Sequence, residues 1–260
     1  MPLADEFDGL LVDLDGVVWI GREPVPGSAE TLAALLEAGK RLVFVTNNPT
    51  KPPATYAERL GAMGVEVGPE QIVTAGMTTA RLASEAANGG GAFVIGAEPL
   101  KEMVAAAGAE TLAGEAANAA KVVVVSGHRG FDFEELVTAK RALDAGAALV
   151  ATSHDPTLPM PGGELPGTGA ILAAVETASG KTAAIGGKPE RHLFDLARER
   201  LGEAERVAMV GDRVSSDIAG GKAAGLATIL VLSGTTSEAE AANADPAPDH
   251  VVADLAALLR

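Results

Sequence analysis

A two-domain α/β protein built on parallel sheets is what this 260-residue sequence predicts. Three observations carry that expectation. Short continuous apolar runs, such as Leu10-Leu11-Val12 and Leu42-Val43-Phe44-Val45, suit strands buried on both faces of a parallel sheet. Segments with helical spacing of apolar residues separate these runs repeatedly, and that alternation marks parallel sheets covered by helices. The strands so found are more than one open sheet comfortably carries, so two sheets are expected.

Taken in order, the first strand ends in Asp13 and Asp15, with Gly16 behind them. Pro24 to Gly27 forms a turn, and Ser28 caps a helix to about Ala38 that Gly39 ends; Leu32, Leu35 and Leu36 share one face. The strand 42–45 closes on Thr46-Asn47-Asn48-Pro49. A helix over 54–63, a strand over 71–74 and a helix over 77–86 follow. Asn88-Gly89-Gly90-Gly91 reads as the flexible point. The alternation then restarts: strand 93–95, helix 99–107, strand 122–125, helix 133–145, strand 148–151. A Pro/Gly-rich loop spans 155–169 before a helix over 170–177. Strand 183–185, helix 192–201, strand 207–210, helix 215–224 and strand 228–231 come next. The tail, 238–260, holds a helix, an edge strand at Val251-Val252 and a last helix.

Composition limits the function. A formal net charge of −15 argues against nucleic acid or an anionic membrane as partner. Any anionic substrate must then be held by local features against an unfavourable global field. The absence of cysteine excludes disulfides, thiolate zinc sites and a cysteine nucleophile, and fits a reducing cytosol, so a cytoplasmic location is expected. No apolar stretch approaches the roughly 18 residues of a membrane span, and Met1 to Asp8 is acidic rather than signal-like.

Four loops at strand ends are chemically unusual, and ligands of parallel sheets bind beyond the carboxyl ends of the strands. Asp13-Leu14-Asp15-Gly16 places two carboxylates where they repel each other unless a cation or proton intervenes; alone, it also reads as a turn. Thr46-Asn47-Asn48 is a helix cap with an Asx-turn, or a hydroxyl and amides aimed at an oxyanion. Gly186-Gly187-Lys188-Pro189 follows a strand and opens a helix, which with a lysine makes an anion site; a solvated lysine is the plain alternative. Asp217 of Gly211-Asp212-Arg213-Val214-Ser215-Ser216-Asp217 suits a first helical turn. Asp212 adds a third carboxylate at the site of Asp13 and Asp15, and three acids there make sense chiefly as a hard-cation site. Ser179-Gly180-Lys181-Thr182 imitates the end of a P-loop but is rejected. The pattern needs a glycine where Val175 stands, and a strand where a helix is read. No GxGxxG or GxSxG pattern is present, and the four histidines have no ligand spacing.

In sequence order, Asp13-x-Asp15-Gly16, Thr46-Asn47-Asn48, Gly187-Lys188-Pro189 and Gly211-Asp212-x-x-x-x-Asp217 resemble the four motifs of the haloacid dehalogenase (HAD) superfamily of phosphatases. Asp15-Gly16-Val17-Val18-Trp19, Pro24-x-Pro26-Gly27, Ala151-Thr152 with Asp155-Pro156, and Gly167-x-Gly169 look like its NagD and para-nitrophenyl-phosphatase branch. The resemblance covers nearly the whole chain. It implies a Rossmann-like parallel-sheet core over 1–80 and 181–260, with an inserted α/β cap over 81–180. It implies Asp13 as nucleophile, giving an aspartyl-phosphate, and Asp15 as the acid and then the base. It implies Mg²⁺ on the Asp13 carboxylate, the Asp15 carbonyl and Asp212, with Asp217 near or joined through water. Thr46, Asn47, Asn48 and Lys188 would hold the phosphoryl group. The implied activity is hydrolysis of small phosphate monoesters such as glycerol phosphate, phosphoglycolate, a sugar phosphate or a nucleoside monophosphate. A phosphotransferase or mutase, and a silent phosphometabolite-binding protein, are the rivals.

Departures from the branch fall in the cap. Ser153 stands where asparagine is frequent, Leu158 where some members carry a substrate-reaching histidine, and Gly127-His128-Arg129-Gly130-Phe131 is unlike the branch. His128, Arg129, His154 and Asp155 are the candidates for reading the leaving group, with a solvated loop as the alternative. Trp19 lines the cleft between core and cap or is ordinary packing. A small phosphorylated metabolite is the expected partner, and a homodimer through the cap a further one.

Overall fold

The computed structural model describes residues 1–160 and 162–260. Two parallel sheets dominate it. The first has six strands in the order His250–Val252, Ala227–Val231, Val207–Gly211, Gly9–Asp13, Arg41–Thr46, Ile72–Thr74. Gly9–Asp13 is buried along its whole length, as its continuous apolar run requires. Its side chains alternate: Leu10 and Val12 join one apolar cluster, with Phe44 and Ile229, while Leu11 joins another, with Val43 and Phe194.

The second sheet has five strands in the order Ala184–Ile185, Ala148–Ala151, Val122–Val125, Gly91–Ile95, Glu110–Thr111. It too is apolar on both faces. Val123 and Val125 pack with Leu149 and Leu172, and Val122 and Val124 with Ala80, Ala83 and Leu100. Among the described residues, no helix is long and apolar enough to cross a membrane.

The structure differs from the sequence reading in several places; Ser28, expected as a helix cap, is the first helical residue behind Gly27, and its hydroxyl donates to the Val18 carbonyl instead. The chain leaves the first sheet at Thr74 and the second at Ile185. The expected boundary at 80/81 falls inside the helix Ala75–Ala87, whose alanines pack on the second sheet. The boundary at 180/181 precedes the strand Ala184–Ile185, which is hydrogen-bonded to that same sheet. Helical spacing shows that a helix has an apolar face, not which sheet the face covers. Asn88, the expected flexible point, caps Ala75–Ala87 in a left-handed conformation. Part of the expected loop 155–169 is an antiparallel hairpin, Thr157–Met160 with Gly163–Pro166, whose prolines mask its strand pattern.

Candidate active site

The carboxyl ends of the central strands of the first sheet converge on one point. Asp13 is the last residue of its strand, Thr46 ends the neighbouring strand on one side, and Asp212 follows Val207–Gly211 on the other. Carboxylate oxygens of Asp13, Asp212 and Asp217 all lie within 4.8 Å of one another. Lys188 reaches the same point from the segment after Ile185. Its ammonium is 2.8 Å from Asp13 Oδ1 and 2.7 Å from Asp217 Oδ1. All four side chains are buried, Asp13 being the most open at 7% exposure. Lys188 is not at a helix start, as the sequence suggested: a turn closed by Glu190 N–H on the Gly187 carbonyl holds it, and the helix begins at Arg191. The buried ion pairs supply its orientation instead.

Backbone groups fix the three acids. Asp13 Oδ1 also accepts from Leu14 N–H at 2.8 Å, which leaves Oδ2 for chemistry. Asp212 Oδ2 accepts from Thr235 N–H at 2.6 Å. Asp217 sits in a π-helical turn, Val214–Ile218, and its Oδ2 accepts from Arg213 N–H at 2.9 Å. Turns of this rare type are frequent at functional sites. Two glycines make room for Asp212. A Cβ on Gly234 would lie 2.1 Å from its Oδ2, and one on Gly16, at φ +89°, 2.4 Å from the same atom.

Three carboxylates facing one ammonium leave negative charge uncompensated. Burial, with the charge of Asp217, pushes Asp212 up to about 6. Burial pushes Asp13 well up too, against the pull of Lys188. Burial alone would lower Lys188, but Asp13 and Asp217 outweigh it and hold the ammonium charged. Asp217 Oδ1 is buried with no aligned hydrogen-bond donor despite its ion-pair contact. Hard oxygen ligands, excess negative charge and an unsatisfied buried oxygen together fit a divalent cation such as Mg²⁺.

Asp15 stands apart from this cluster. Its Oδ1 accepts from Trp19 Nε1 at 3.1 Å, and its Oδ2 is 3.4 Å from the Thr46 hydroxyl. The side chain lies at the cavity wall yet is densely surrounded by protein, and that desolvation raises its pKa against the hydrogen bond from Trp19. The carboxylate therefore has partners of its own and is not among the three clustered acids.

The neighbouring loop is more structural than expected. The Asn47 side chain is fully used: its Nδ2 donates to Asp155 Oδ2 at 2.7 Å and to the Lys188 carbonyl at 3.0 Å, and its Oδ1 accepts from Lys188 N–H at 2.8 Å. The Asn48 carboxamide oxygen accepts from the Thr50 N–H and hydroxyl. Both asparagines line the cavity, but their side chains build the loop. The cavity, about 760 Å³, opens from Asp13 and Asp15 toward the second sheet, where His128, Arg129 and Asp155 line it. His154 does not line it. Trp19, expected at the cleft or in plain packing, is buried behind Asp15. Sequence reasoning missed its bond to Asp15, although the spacing of four across a Gly16 turn was available.

Comparison with known proteins agrees with this geometry. A family model described as haloacid dehalogenase-like hydrolase matches residues 10–110, and a related HAD-hydrolase-like model matches 185–258. Mouse chronophin is 38% identical over 247 residues, covering 91% of this chain and 84% of that protein. The chain belongs to the haloacid dehalogenase-like hydrolases. A crystal structure of glycerol phosphate phosphatase from Mycobacterium tuberculosis in complex with magnesium is similar at TM-score 0.90 and 35% identity, covering 100% of this chain and 78% of that one. The para-nitrophenyl phosphatase of Archaeoglobus fulgidus is similar at TM-score 0.85 and 34% identity, covering 97% and 98%. These HAD relatives lie in the branch that the motifs resemble.

Proposed function

We propose that this chain is a Mg²⁺-dependent phosphatase of small phosphate monoesters, working through an aspartyl-phosphate on Asp13. The observation that carries the reading is the unequal partnering of two carboxylates on one cavity: Asp13 lies with Lys188, Asp212 and Asp217, and Asp15 with Trp19 and Thr46. Asp13, Asp212 and Asp217 would hold the ion, which neutralises charge where an anionic carboxylate approaches an anionic phosphate. Lys188 adds a fixed positive charge at the same point.

Asp13 Oδ2 attacks phosphorus, and the bond from phosphorus to the ester oxygen breaks. Asp15, protonated at that stage, gives its proton to the departing oxygen. Water then attacks the aspartyl-phosphate; Asp15 takes the water proton, the phosphorus–Asp13 bond breaks, and free phosphate leaves. The cavity volume and its position between the two sheets support a small substrate, with the segment between Thr74 and Ile185, which carries the second sheet, acting as a cap. The cap residues His128 and Arg129 face the leaving group in this reading. A cytoplasmic setting is supported by a chain without cysteine.

The test is phosphate release by the purified protein from glycerol 3-phosphate and para-nitrophenyl phosphate, with and without Mg²⁺. Turnover should need the ion, and Asp13→Asn should abolish it. Turnover that survives Asp13→Asn refutes the mechanism.

A further inference from the structure

Trp19 is the chain's single tryptophan. It is fully buried and forms no part of the cavity wall, so it is out of reach of a substrate. A buried indole N–H needs an acceptor, and Trp19 spends its donor on Asp15 Oδ1. The ring is held from the helix Pro53–Ala62. Tyr56 lies parallel to it, with centroids 6.4 Å apart and planes 6° from parallel, and the Arg59 guanidinium is 3.8 Å from its centroid. Each of these partners is tied down in turn. The Tyr56 hydroxyl donates to the Asn48 carbonyl at 2.8 Å, and Arg59 donates to the Gly21 carbonyl at 2.9 Å. The indole therefore cannot follow Asp15 if that side chain turns.

A free carboxylate at position 15 has a competing partner, the Lys188 ammonium already bonded to Asp13. Turning toward it would put Asp15 in the acid cluster and away from the leaving oxygen. The 3.4 Å approach of Thr46 is too long to hold the side chain alone. We infer that Trp19 is a positioning residue for proton transfer: its indole N–H fixes the Asp15 carboxyl in the direction of the leaving group. This inference rests on the phosphatase reading above, in which Asp15 protonates that group.

Because there is one tryptophan, residue-specific replacement with 3-benzothienylalanine, sulfur for N–H, removes the donor and keeps the ring. Trp19→Phe is made beside it. Steady-state turnover of glycerol 3-phosphate and the pre-steady-state burst of nitrophenol from para-nitrophenyl phosphate are measured with Mg²⁺. An alkoxide needs a proton to leave; nitrophenolate does not. Losing this hydrogen bond, made to a neutral carboxyl when the leaving oxygen is protonated, should lower kcat for glycerol 3-phosphate by about tenfold. KM, and the nitrophenol burst rate, should stay within about twofold. In an Asp15→Asn background the same replacement should cost nothing further. Equal losses on both substrates, no loss on either, or an added loss in that background overturns the inference while leaving the phosphatase reading in place. A wild-type protein that hydrolyses neither ester removes both.

Discussion

Mg²⁺ affinity should fall about tenfold when the pH is lowered from 7 to 5, because Asp212 must lose its proton to bind the ion. Burial and the Asp217 charge place Asp212 at about 6, against an ordinary 3.8. At pH 7 it is ionised and competes with nothing; at pH 5 about nine molecules in ten carry the proton. Asp13, also raised by burial, steepens the dependence. The same shift acts on stability with a defined sign. In the metal-free protein the fold binds the Asp212 proton more tightly than the unfolded chain does. That stabilisation is full below about pH 4 and is lost as the pH rises through about 6, a change of roughly 3 kcal/mol. Bound Mg²⁺ reverses it, since the ion favours the ionised carboxylate. The assay is titration calorimetry of the metal-free protein with Mg²⁺ at pH 5, 6 and 7, with melting curves at each pH. An affinity that is flat across this range would refute the buried three-carboxylate account.

Other perturbations follow from the same geometry. Lys188→Met leaves Asp13 and Asp217 buried without their cation and should cost about 3–5 kcal/mol, read as a melting temperature lower by on the order of 10 °C, with Mg²⁺ restoring more of it than in the wild type. Unchanged melting would contradict the burial of these pairs. Gly234→Ala drives a Cβ into Asp212 Oδ2 and should weaken Mg²⁺ binding and lower stability by about 1–3 kcal/mol; calorimetry and denaturant melts check both. Asp155→Ala removes the side-chain bond from Asn47 to the loop beneath the hairpin and should raise KM by about tenfold with a smaller change in kcat. A fall confined to kcat would count against a role in holding substrate.

Much of the site could be read from the chain because a parallel sheet does half the work. Every strand points the same way, so loops after successive strands meet at one edge, and a carboxylate at a strand end is already placed. That is why Asp13, Thr46, Asp212 and the lysine after Ile185 were found together. Local geometry was not legible. Nothing in Thr46-Asn47-Asn48 says that Asn47 bonds to Asp155 and to both backbone groups of Lys188, since an asparagine presents the same donors to a phosphate as to a carbonyl. The 232–235 segment carries no signal in sequence, yet Thr235 N–H binds Asp212 and the Ser233 hydroxyl binds the Gly16 carbonyl. Long-range backbone contacts of this kind leave no periodicity behind.

Two aspartates separated by one residue on a strand would ordinarily share a face and an environment. Here the fold makes them chemically different with groups that come from opposite directions. On one side the chain delivers Lys188, Asp212 and Asp217 from its C-terminal third, so Asp13 meets a dense field of charge that invites a cation. On the other side, neutral donors arrive from the N-terminal part of the chain: Trp19 four positions on, and Thr46 from the adjacent strand. Neutral donors let a carboxyl keep or give up a proton, whereas a cation commits it to the ionised form. Moving Lys188 to the side of Asp15 would therefore abolish the distinction even with every residue type retained. In the proposed mechanism the division between nucleophile and acid is written in which partners arrive, and a protein of net charge −15 would need that separation to bring an anion to an anion at all.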